Sequence, residues 1–297
     1  ATFSGWDFSH VWDIDEGHGY PFIPKDPYDK PPVAGFGDAL VLDGTNDYAD
    51  CGTGTELSKF DALTVEVWVR LSDPHRNQKI VNKVGDLNPG NYCILGVAEG
   101  KLYGEVAVEG ETVSFTAGAI PAGEWTHLAL TFERGDGAGN GRVRGYVDGT
   151  MVFEETAFVD SRLDVTSGHP LRIGAASWDA GSFAAGGQVD EVRVWKVARA
   201  PHEIAGGMYR TIGKTLMPGE TEFDDLVGYW RFDGDGTDAT RHGHKAALQN
   251  GAAIATSTVP IAVVGDQNAA SLPTLVTGAD LDRDVLCFEI VDHPDHG

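Results

Sequence analysis

The stretch Gly187-Gln-Val-Asp-Glu-Val-Arg-Val-Trp195 mixes branched apolar residues with polar ones and begins at a glycine. A second stretch, Gly123-Glu-Trp-Thr-His-Leu-Ala-Leu-Thr-Phe132, has the same character. Short runs that are rich in β-branched and aromatic residues and bounded by glycine are typical of β-strands. The sequence therefore predicts β-strands at Gln188–Trp195 and Trp125–Glu133.

Further runs of this kind occur between residues 38 and 255, and turns rich in Gly, Asp and Asn separate them. The other predicted strands are Ala39–Leu42, Leu63–Leu71, Lys79–Val84, Tyr92–Val97, Lys101–Val108, Thr112–Ala117, Arg142–Val147, Leu171–Gly174 and Leu226–Phe232. One helix is predicted from Pro201 to Met208, because proline favours its first position and Glu203 its first turn. Many strands joined by tight turns indicate an all-β fold, an antiparallel jelly-roll sandwich.

The amino-acid composition argues against two classes of binding partner, nucleic acids and membranes. The 297 residues carry 22 Lys+Arg and 45 Asp+Glu, a formal charge of −23. A nucleic-acid binder needs a basic surface, and an anionic membrane repels this much negative charge. No run of residues approaches the ~18 apolar positions that a membrane span requires. We therefore expect neither nucleic acid nor membrane insertion.

The chain divides into three zones. Residues 1–37 are rich in proline and aromatics and are predicted to be an irregular lead-in, the tail of a preceding β module. Residues 38–255 hold the predicted strands, and residues 256–297 are predicted to be a linker and the opening strands of a further module. The three cysteines, Cys51, Cys93 and Cys287, leave open a Cys51–Cys93 bridge or separately buried thiols.

The middle zone resembles a known family. Its matching segments are Ala39-Leu-Val-Leu-Asp-Gly-Thr-Asn-Asp-Tyr48, Leu63-Thr-Val-Glu-Val-Trp-Val69, Gly145-Tyr-Val-Asp-Gly149, Leu226-Val-Gly-Tyr-Trp-Arg-Phe-Asp233 and the two stretches quoted first. In this order they resemble the laminin-G-like, concanavalin A-like lectin/glucanase jelly roll in its bacterial, pentraxin-related form. The flanks resemble the end of a β-helix and the start of a cadherin-like or immunoglobulin-like repeat. The resemblance implies one stretch of a multidomain bacterial protein that is secreted or displayed on the cell surface.

Glucanases with this fold use two carboxylates spaced by alternation along one strand. The nearest approach is Glu105 and Glu109, but Ala107 replaces the acidic residue between them. Asp190 and Glu191 are neighbours, which point to opposite faces of a strand. The sequence therefore predicts no enzyme and no catalytic residue.

Calcium is the predicted cofactor, because Asp/Asn/Gly-rich turns offer the oxygen ligands that this ion prefers. The resemblance implies a structural calcium held by Asp43, the Gly44 carbonyl, Asp47 and Asp190. The alternative for Asp43 and Gly44 is an ordinary hairpin turn, and the same Asp-Gly sequence at Asp148 and Gly149 is predicted to be such a turn. Asp280, Asp282 and Asp284 share one face of a predicted extended segment and form a second candidate calcium site.

Sugar binding is the other functional prediction. Lectins with this fold stack aromatic side chains on sugar rings and use Asp, Asn or Arg for the hydroxyl groups. Trp178 and Asp179, in a short loop, and Tyr103 are the predicted ligand-binding residues.

The sequence thus predicts a non-enzymatic, calcium-stabilised extracellular module for adhesion or assembly. Its expected partners are other surface-protein modules, copies of itself through residues 271–291, and glycans. A lectin module and a glycoside hydrolase are the alternatives.

Overall fold

The structure is a computed structural model that describes residues 37–85, 90–137, 141–157, 161–179, 183–209, 212 and 224–260, and the backbone of four short strands outside these ranges. Its strands are β1 (Asp13–Ile14), β2 (Pro21–Phe22), β3 (Asp38–Asp43), β4 (Tyr48–Asp50), β5 (Lys59–Phe60), β6 (Ala62–Leu71), β7 (Gln78–Val84), β8 (Tyr92–Ala98), β9 (Lys101–Val108), β10 (Glu111–Ala119), β11 (Thr126–Glu133), β12 (Arg142–Val147), β13 (Thr150–Thr156), β14 (Leu163–Asp164), β15 (Arg172–Ile173), β16 (Gly186–Trp195), β17 (Leu226–Trp230), β18 (Ala247–Gln249), β19 (Ala253–Thr256), β20 (Thr277–Ala279) and β21 (Val285–Cys287). A 3₁₀ turn spans Thr55–Leu57, and helix α1 spans Pro201–Gly207.

Two antiparallel sheets pack face to face. The seven-stranded sheet has the order β10-β9-β8-β7-β15-β4-β18. The eight-stranded sheet has the order β13-β12-β11-β6-β16-β3-β19, and β17 also pairs with β16. Between the sheets lies one apolar core that includes Leu40, Val67, Leu95, Leu130 and Val189. The predicted all-β jelly-roll sandwich is confirmed.

The eight-stranded sheet is covered on its outer side as well. Along β6, Val65 and Val67 face the core between the sheets, whereas Trp68 belongs to a second cluster on the opposite side, with Met208. Helix α1 contributes Ile204 to a third cluster on that side. The middle of this sheet is therefore buried on both faces, whereas Tyr103 and Glu105 on the outer side of the seven-stranded sheet, its open face, are partly exposed.

Strand β16 changes its partner halfway along. Gly186–Val189 pairs with β3, and Val192–Trp195 pairs with β17. The register against β6 shifts between Asp190 and Arg193, and Glu191 has a positive φ of 51°. An extra residue of this kind is a β-bulge, which turns the side chains that follow it onto a different face.

Several local predictions are confirmed. Helix α1 begins at Pro201, and the Glu203 carboxylate accepts the Ala200 N–H at 2.6 Å. Asp148 and Gly149, both at positive φ, form the turn between β12 and β13. Of the two alternatives for the cysteines, separate thiols are found: Cys51 and Cys93 are buried and free.

The remaining predictions about the ends fall largely outside the described residues, which include only short stretches of these segments, and they stay predictions. They include the modules expected within 1–37 and 256–297, self-association through 271–291, and the calcium site at Asp280, Asp282 and Asp284. None of the helices in the described ranges is long and apolar enough to cross a membrane.

Candidate functional site

Strand β9 presents polar side chains on the open face of the seven-stranded sheet. Leu102 and Val106 point into the core, so alternation directs Tyr103 and Glu105 outward. The Tyr92 hydroxyl on β8 donates to Glu105 Oε1 at 2.8 Å, and the Tyr103 hydroxyl donates to Glu105 Oε2. Burial, and after it the Glu105 carboxylate, raises the pKa of both phenols. The two phenols therefore hold the carboxylate in one orientation.

An aromatic group adjoins this carboxylate. The Lys79 ammonium lies 4.1 Å from the Tyr103 ring centre and 4.9 Å from that of Phe183. The Trp178 and Phe183 rings pack edge to face, with 6.2 Å between their centres. Trp178 is 42% exposed and Phe183 is 40% exposed, whereas Lys79 is almost covered. We call Lys79, Tyr103, Glu105, Trp178 and Phe183 the outer-face patch.

The loop that carries Trp178 is fixed at its base by strand side chains. Asn82 on β7 donates to the Ala175 carbonyl at 2.6 Å and accepts the Ser177 N–H at 2.8 Å. Arg172 on β15 donates to the Ala176 carbonyl at 2.8 Å. Backbone hydrogen bonds that are anchored in this way limit how far Trp178 can move.

Phe183 has an unusual backbone. Its φ is +58°, a region that bulky residues rarely adopt. The Lys79 N–H donates to its carbonyl at 2.9 Å, which holds the residue against β7. Strained residues of this kind cluster at binding sites, because the surrounding structure must maintain them.

Tyr103 and Trp178, two of the predicted sugar-binding residues, both belong to the outer-face patch. Tyr103 and Trp178 are connected through Lys79 and Phe183, and Asp179 is exposed beside Trp178. Lys79 and Phe183 were not predicted. Lys79 sits within a predicted strand, and Phe183 lies in a stretch rich in Gly and Ala without any periodicity, so neither position carried a local signal of a binding site.

The candidate catalytic carboxylates do not form a pair. Glu109 follows the end of β9 and accepts the Ser161 hydroxyl at 3.0 Å. Glu109 has a positive φ of 52° in the turn after β9, so the alternation along the strand does not place its carboxylate beside that of Glu105. Asp190 and Glu191 are both buried.

The loop from Asp43 to Asp47 connects β3 of the eight-stranded sheet to β4 of the seven-stranded sheet, so the alternative of a hairpin turn at Asp43 and Gly44 was wrong. Asp43 Oδ1 accepts the Thr45 N–H at 2.7 Å, and this hydrogen bond is the main cause that lowers its pKa. Asp47 Oδ2 accepts the Asp43 N–H at 3.1 Å, whereas Asp47 Oδ1 is buried without a hydrogen-bond partner. The Gly44 carbonyl accepts the Arg76 guanidinium at 2.8 Å. A calcium ion that used the Gly44 carbonyl would have to displace that guanidinium.

Asp190 lies apart from this loop. Strand β16 is adjacent to β3 as expected, but Asp43 faces Gly186, four residues before Asp190. That offset corresponds to about 13 Å along the strand. Asp190 accepts the Ser257 hydroxyl at 2.9 Å, and burial raises its pKa well above the ordinary value. The structure therefore does not bring Asp190 together with Asp43 and Asp47, and calcium stays a prediction.

A buried charge network lies on the other side of the molecule, under α1. Glu66 pairs with Arg199 at 3.0 Å and with His127 at 3.5 Å. Burial opposes ionisation of Glu66, but His127, Arg199 and Arg193 outweigh it and hold its pKa at about 2. Arg193 also binds Glu191 at 2.7 Å. These side chains are shielded from solvent, so the network stabilises the fold and does not face a ligand.

Comparisons with known proteins agree on the fold. The family model described as Laminin_G_3, concanavalin A-like lectin/glucanases superfamily, matches residues 43–205. The search of curated proteins found no match. A structure from Bacteroides ovatus, of a protein proposed to bind carbohydrate, is 23% identical with a TM-score of 0.55. The alignment covers 77% of this chain but only 62% of that one.

Two further structures are more distant. A pentraxin from Limulus polyphemus is 15% identical with a TM-score of 0.44, over 57% of this chain and 80% of its own. A sialidase module from Ruminococcus gnavus, bound to α2,3-sialyllactose, is 9% identical with a TM-score of 0.47, over 57% of this chain and 95% of its own. At these identities the likeness concerns the fold alone.

Proposed function

The chain belongs to the concanavalin A-like lectin/glucanase superfamily, and from this premise we propose that it is a non-enzymatic carbohydrate-binding module that acts outside the cell. The outer-face patch carries the proposal. Trp178 and Phe183 are two of three large apolar side chains exposed in the described ranges, and they contact each other. Lys79 connects Phe183 to Tyr103, whose hydroxyl donates to the Glu105 carboxylate. An exposed apolar surface next to polar groups is typical of a binding site.

The chemistry of the patch suits a sugar. The exposed faces of Trp178 and Phe183 offer apolar surface for the C–H face of a pyranose ring. Glu105 has oxygen lone pairs beyond those used by Tyr92 and Tyr103, and these accept hydroxyl groups. The two phenols and the Asn82 contacts position these groups in advance. Binding of a ligand therefore costs little conformational entropy.

The same geometry favours binding over hydrolysis. Glu105 and Glu109 do not form a catalytic pair, since Glu105 accepts the Tyr92 and Tyr103 hydroxyls whereas Glu109 lies in the turn after β9 and accepts the Ser161 hydroxyl. The fold likeness to a protein proposed to bind carbohydrate is consistent with this. Adhesion, self-association and calcium stabilisation remain predictions from the sequence.

The test compares wild-type protein with Trp178→Ala on a glycan array, followed by calorimetric titration of the best glycan. Met151→Ala is the matched control, because Met151 is equally exposed but lies on β13 of the other sheet. We expect Trp178→Ala to weaken binding at least about tenfold, which is ~1.4 kcal/mol, and Met151→Ala to leave it unchanged. No bound glycan, or equal binding by all three proteins, would contradict the proposal.

The non-enzymatic part needs its own experiment. We expect no reducing sugar to be released when the protein is incubated with β-glucans or with the glycan found on the array. Hydrolysis that disappears in Glu105→Gln would overturn this part, while leaving the binding site in place.

A further inference from the structure

Glu56, His242 and His244 form a cluster that the outer-face patch does not include. Their ligand atoms all lie within 4.8 Å of one another, and this is the one such group of three acidic, histidine or cysteine side chains in the described ranges. His244 Nε2 lies 3.7 Å from Glu56 Oε2. The two imidazole rings stack almost parallel, at 9° and 5.9 Å between centres. Glu56 comes from the 3₁₀ turn after β4, and both histidines come from the loop before β18.

Each histidine of the cluster has one ring nitrogen without a hydrogen bond. Nε2 of His242 and Nε2 of His244 are shielded from solvent and have no hydrogen-bond partner. Only 11% of the His244 side chain is exposed. Buried polar atoms without a partner carry a desolvation penalty, so their presence calls for an explanation such as an ion. A metal ion would satisfy both nitrogens at once.

The backbone around His244 is fixed independently of its ring. Its N–H donates to Asp238 Oδ2 at 2.9 Å, and its carbonyl accepts Trp230 Nε1 at 2.6 Å. The ring lies directly over Gly54, where a Cβ atom would come within 2.1 Å of His244 Cε1. Gly54 therefore provides the space for the imidazole, and the ring position does not depend on a hydrogen bond of its own.

The local charges favour a cation. The neighbouring cations are directed elsewhere: Arg241 pairs with Asp224 at 2.9 Å, and Lys245 lies 4.0 Å from Asp235. Neither the Arg241 guanidinium nor the Lys245 ammonium therefore lies in the cluster, to which Glu56 contributes a carboxylate.

We propose that Glu56, His242 and His244 bind one transition-metal ion of the zinc class. Two imidazole nitrogens and one carboxylate oxygen form a ligand set that suits Zn²⁺ and leaves a fourth position open. The ion connects the 3₁₀ turn after β4 to the loop before β18, so its role is to fix these two segments.

The test titrates metal-free protein with ZnCl₂ by calorimetry. Wild type and His75→Gln should each bind one equivalent at the site, since His75 is an exposed histidine outside the cluster. His244→Gln and Glu56→Gln should bind at least about tenfold more weakly, because even second-shell changes typically cost that much. Zinc affinity unchanged in both variants, or no zinc binding by wild type, would overturn the proposal.

If His244→Gln does not fold, a spectroscopic measurement on Glu56→Gln tests the site instead. Glu56→Gln changes an exposed side chain and should leave the circular dichroism spectrum unchanged. Wild-type protein loaded with Co²⁺ should show the intense visible bands of a four-coordinate ion, and Glu56→Gln should lose them. Identical spectra from both proteins, or only the weak bands of hexaaqua Co²⁺ in wild type, would contradict the site.

Discussion

The side-chain oxygen of Asn82 accepts a hydrogen bond of 2.8 Å from the backbone N–H of Ser177, in the loop that carries Trp178. The same carboxamide donates to the Ala175 carbonyl, so one strand residue orders the loop from two sides. The proposed sugar site therefore depends on a residue of the sheet beneath it.

Asn82→Ala tests this dependence. The change leaves a buried N–H and a buried carbonyl without partners, so we expect a loss of about 1–3 kcal/mol in the free energy of unfolding. Glycan affinity should also fall, although Trp178 itself is intact. Asn46→Ala, at an exposed position in another loop, is the control. Full glycan affinity in Asn82→Ala would show that the loop needs no such support.

Glu105→Gln tests the phenol–carboxylate contacts. Removing the negative charge should lower the pKa of Tyr103 towards its ordinary value of 10.0. The pKa should remain above 10.0, because burial is the larger cause of the shift. Spectrophotometric titration of the phenolate band measures this. A titration curve identical to that of wild type would mean that Glu105 does not contact the phenols in solution.

The buried network predicts a specific pH dependence. Folding holds the pKa of Glu66 at about 2, below its ordinary 4.5, so the unfolded chain takes up this proton first as the pH falls. The contribution of ionised Glu66 to the free energy of unfolding is fully present above pH 4.5, and it is lost as the pH falls through about 2. At 1.36 kcal/mol per pKa unit this amounts to about 3 kcal/mol.

Glu66→Gln should therefore be about 3 kcal/mol less stable than wild type at pH 7, and the difference should narrow below pH 4.5. Urea unfolding at several pH values measures it, with the exposed substitution Glu99→Gln as the control. A difference that stays constant down to pH 2 would exclude the ionised form of Glu66 as its source. His127 acts in the same direction, because burial lowers its pKa and acid then favours the unfolded chain.

Calcium can be tested at the loop from Asp43 to Asp47. If the loop binds the ion, replacing calcium with EGTA should lower the melting temperature, and Asp47→Asn should abolish the response. Calcium at 100 times its dissociation constant would stabilise the fold by about 2.7 kcal/mol. Arg76→Ala should increase the response, because its guanidinium competes for the Gly44 carbonyl. An unchanged melting temperature in all three proteins would remove the metal prediction.

The sequence predicted elements better than it predicted sites. Strands such as Leu63–Leu71 were predictable because the runs that form them are local and rich in apolar residues. Trp178 was predictable as an exposed aromatic because it lies outside any strand-like run. Phe183 was not, since its exposure results from a backbone conformation that no residue pattern marks.

Two other features depended on contacts between distant parts of the chain. Glu56 meets His242 and His244 only because β4 and β18 are neighbours in the seven-stranded sheet. Asp190 lies apart from Asp43 because the register places it near the middle of β16. Neither the pairing of distant strands nor their register can be derived from local periodicity.

The pairing of β3 with β19 has a mechanical consequence. Asp38 lies opposite Thr256, and the Ser257 N–H donates to the Gly37 carbonyl at 3.0 Å, so the chain enters and leaves the sandwich at one point. Tension applied through the flanking segments would act on this point and open β3 from β19 one hydrogen bond at a time. The outer-face patch lies on the other sheet, away from that pair. A bound sugar would therefore stay in place while tension separates β3 from β19.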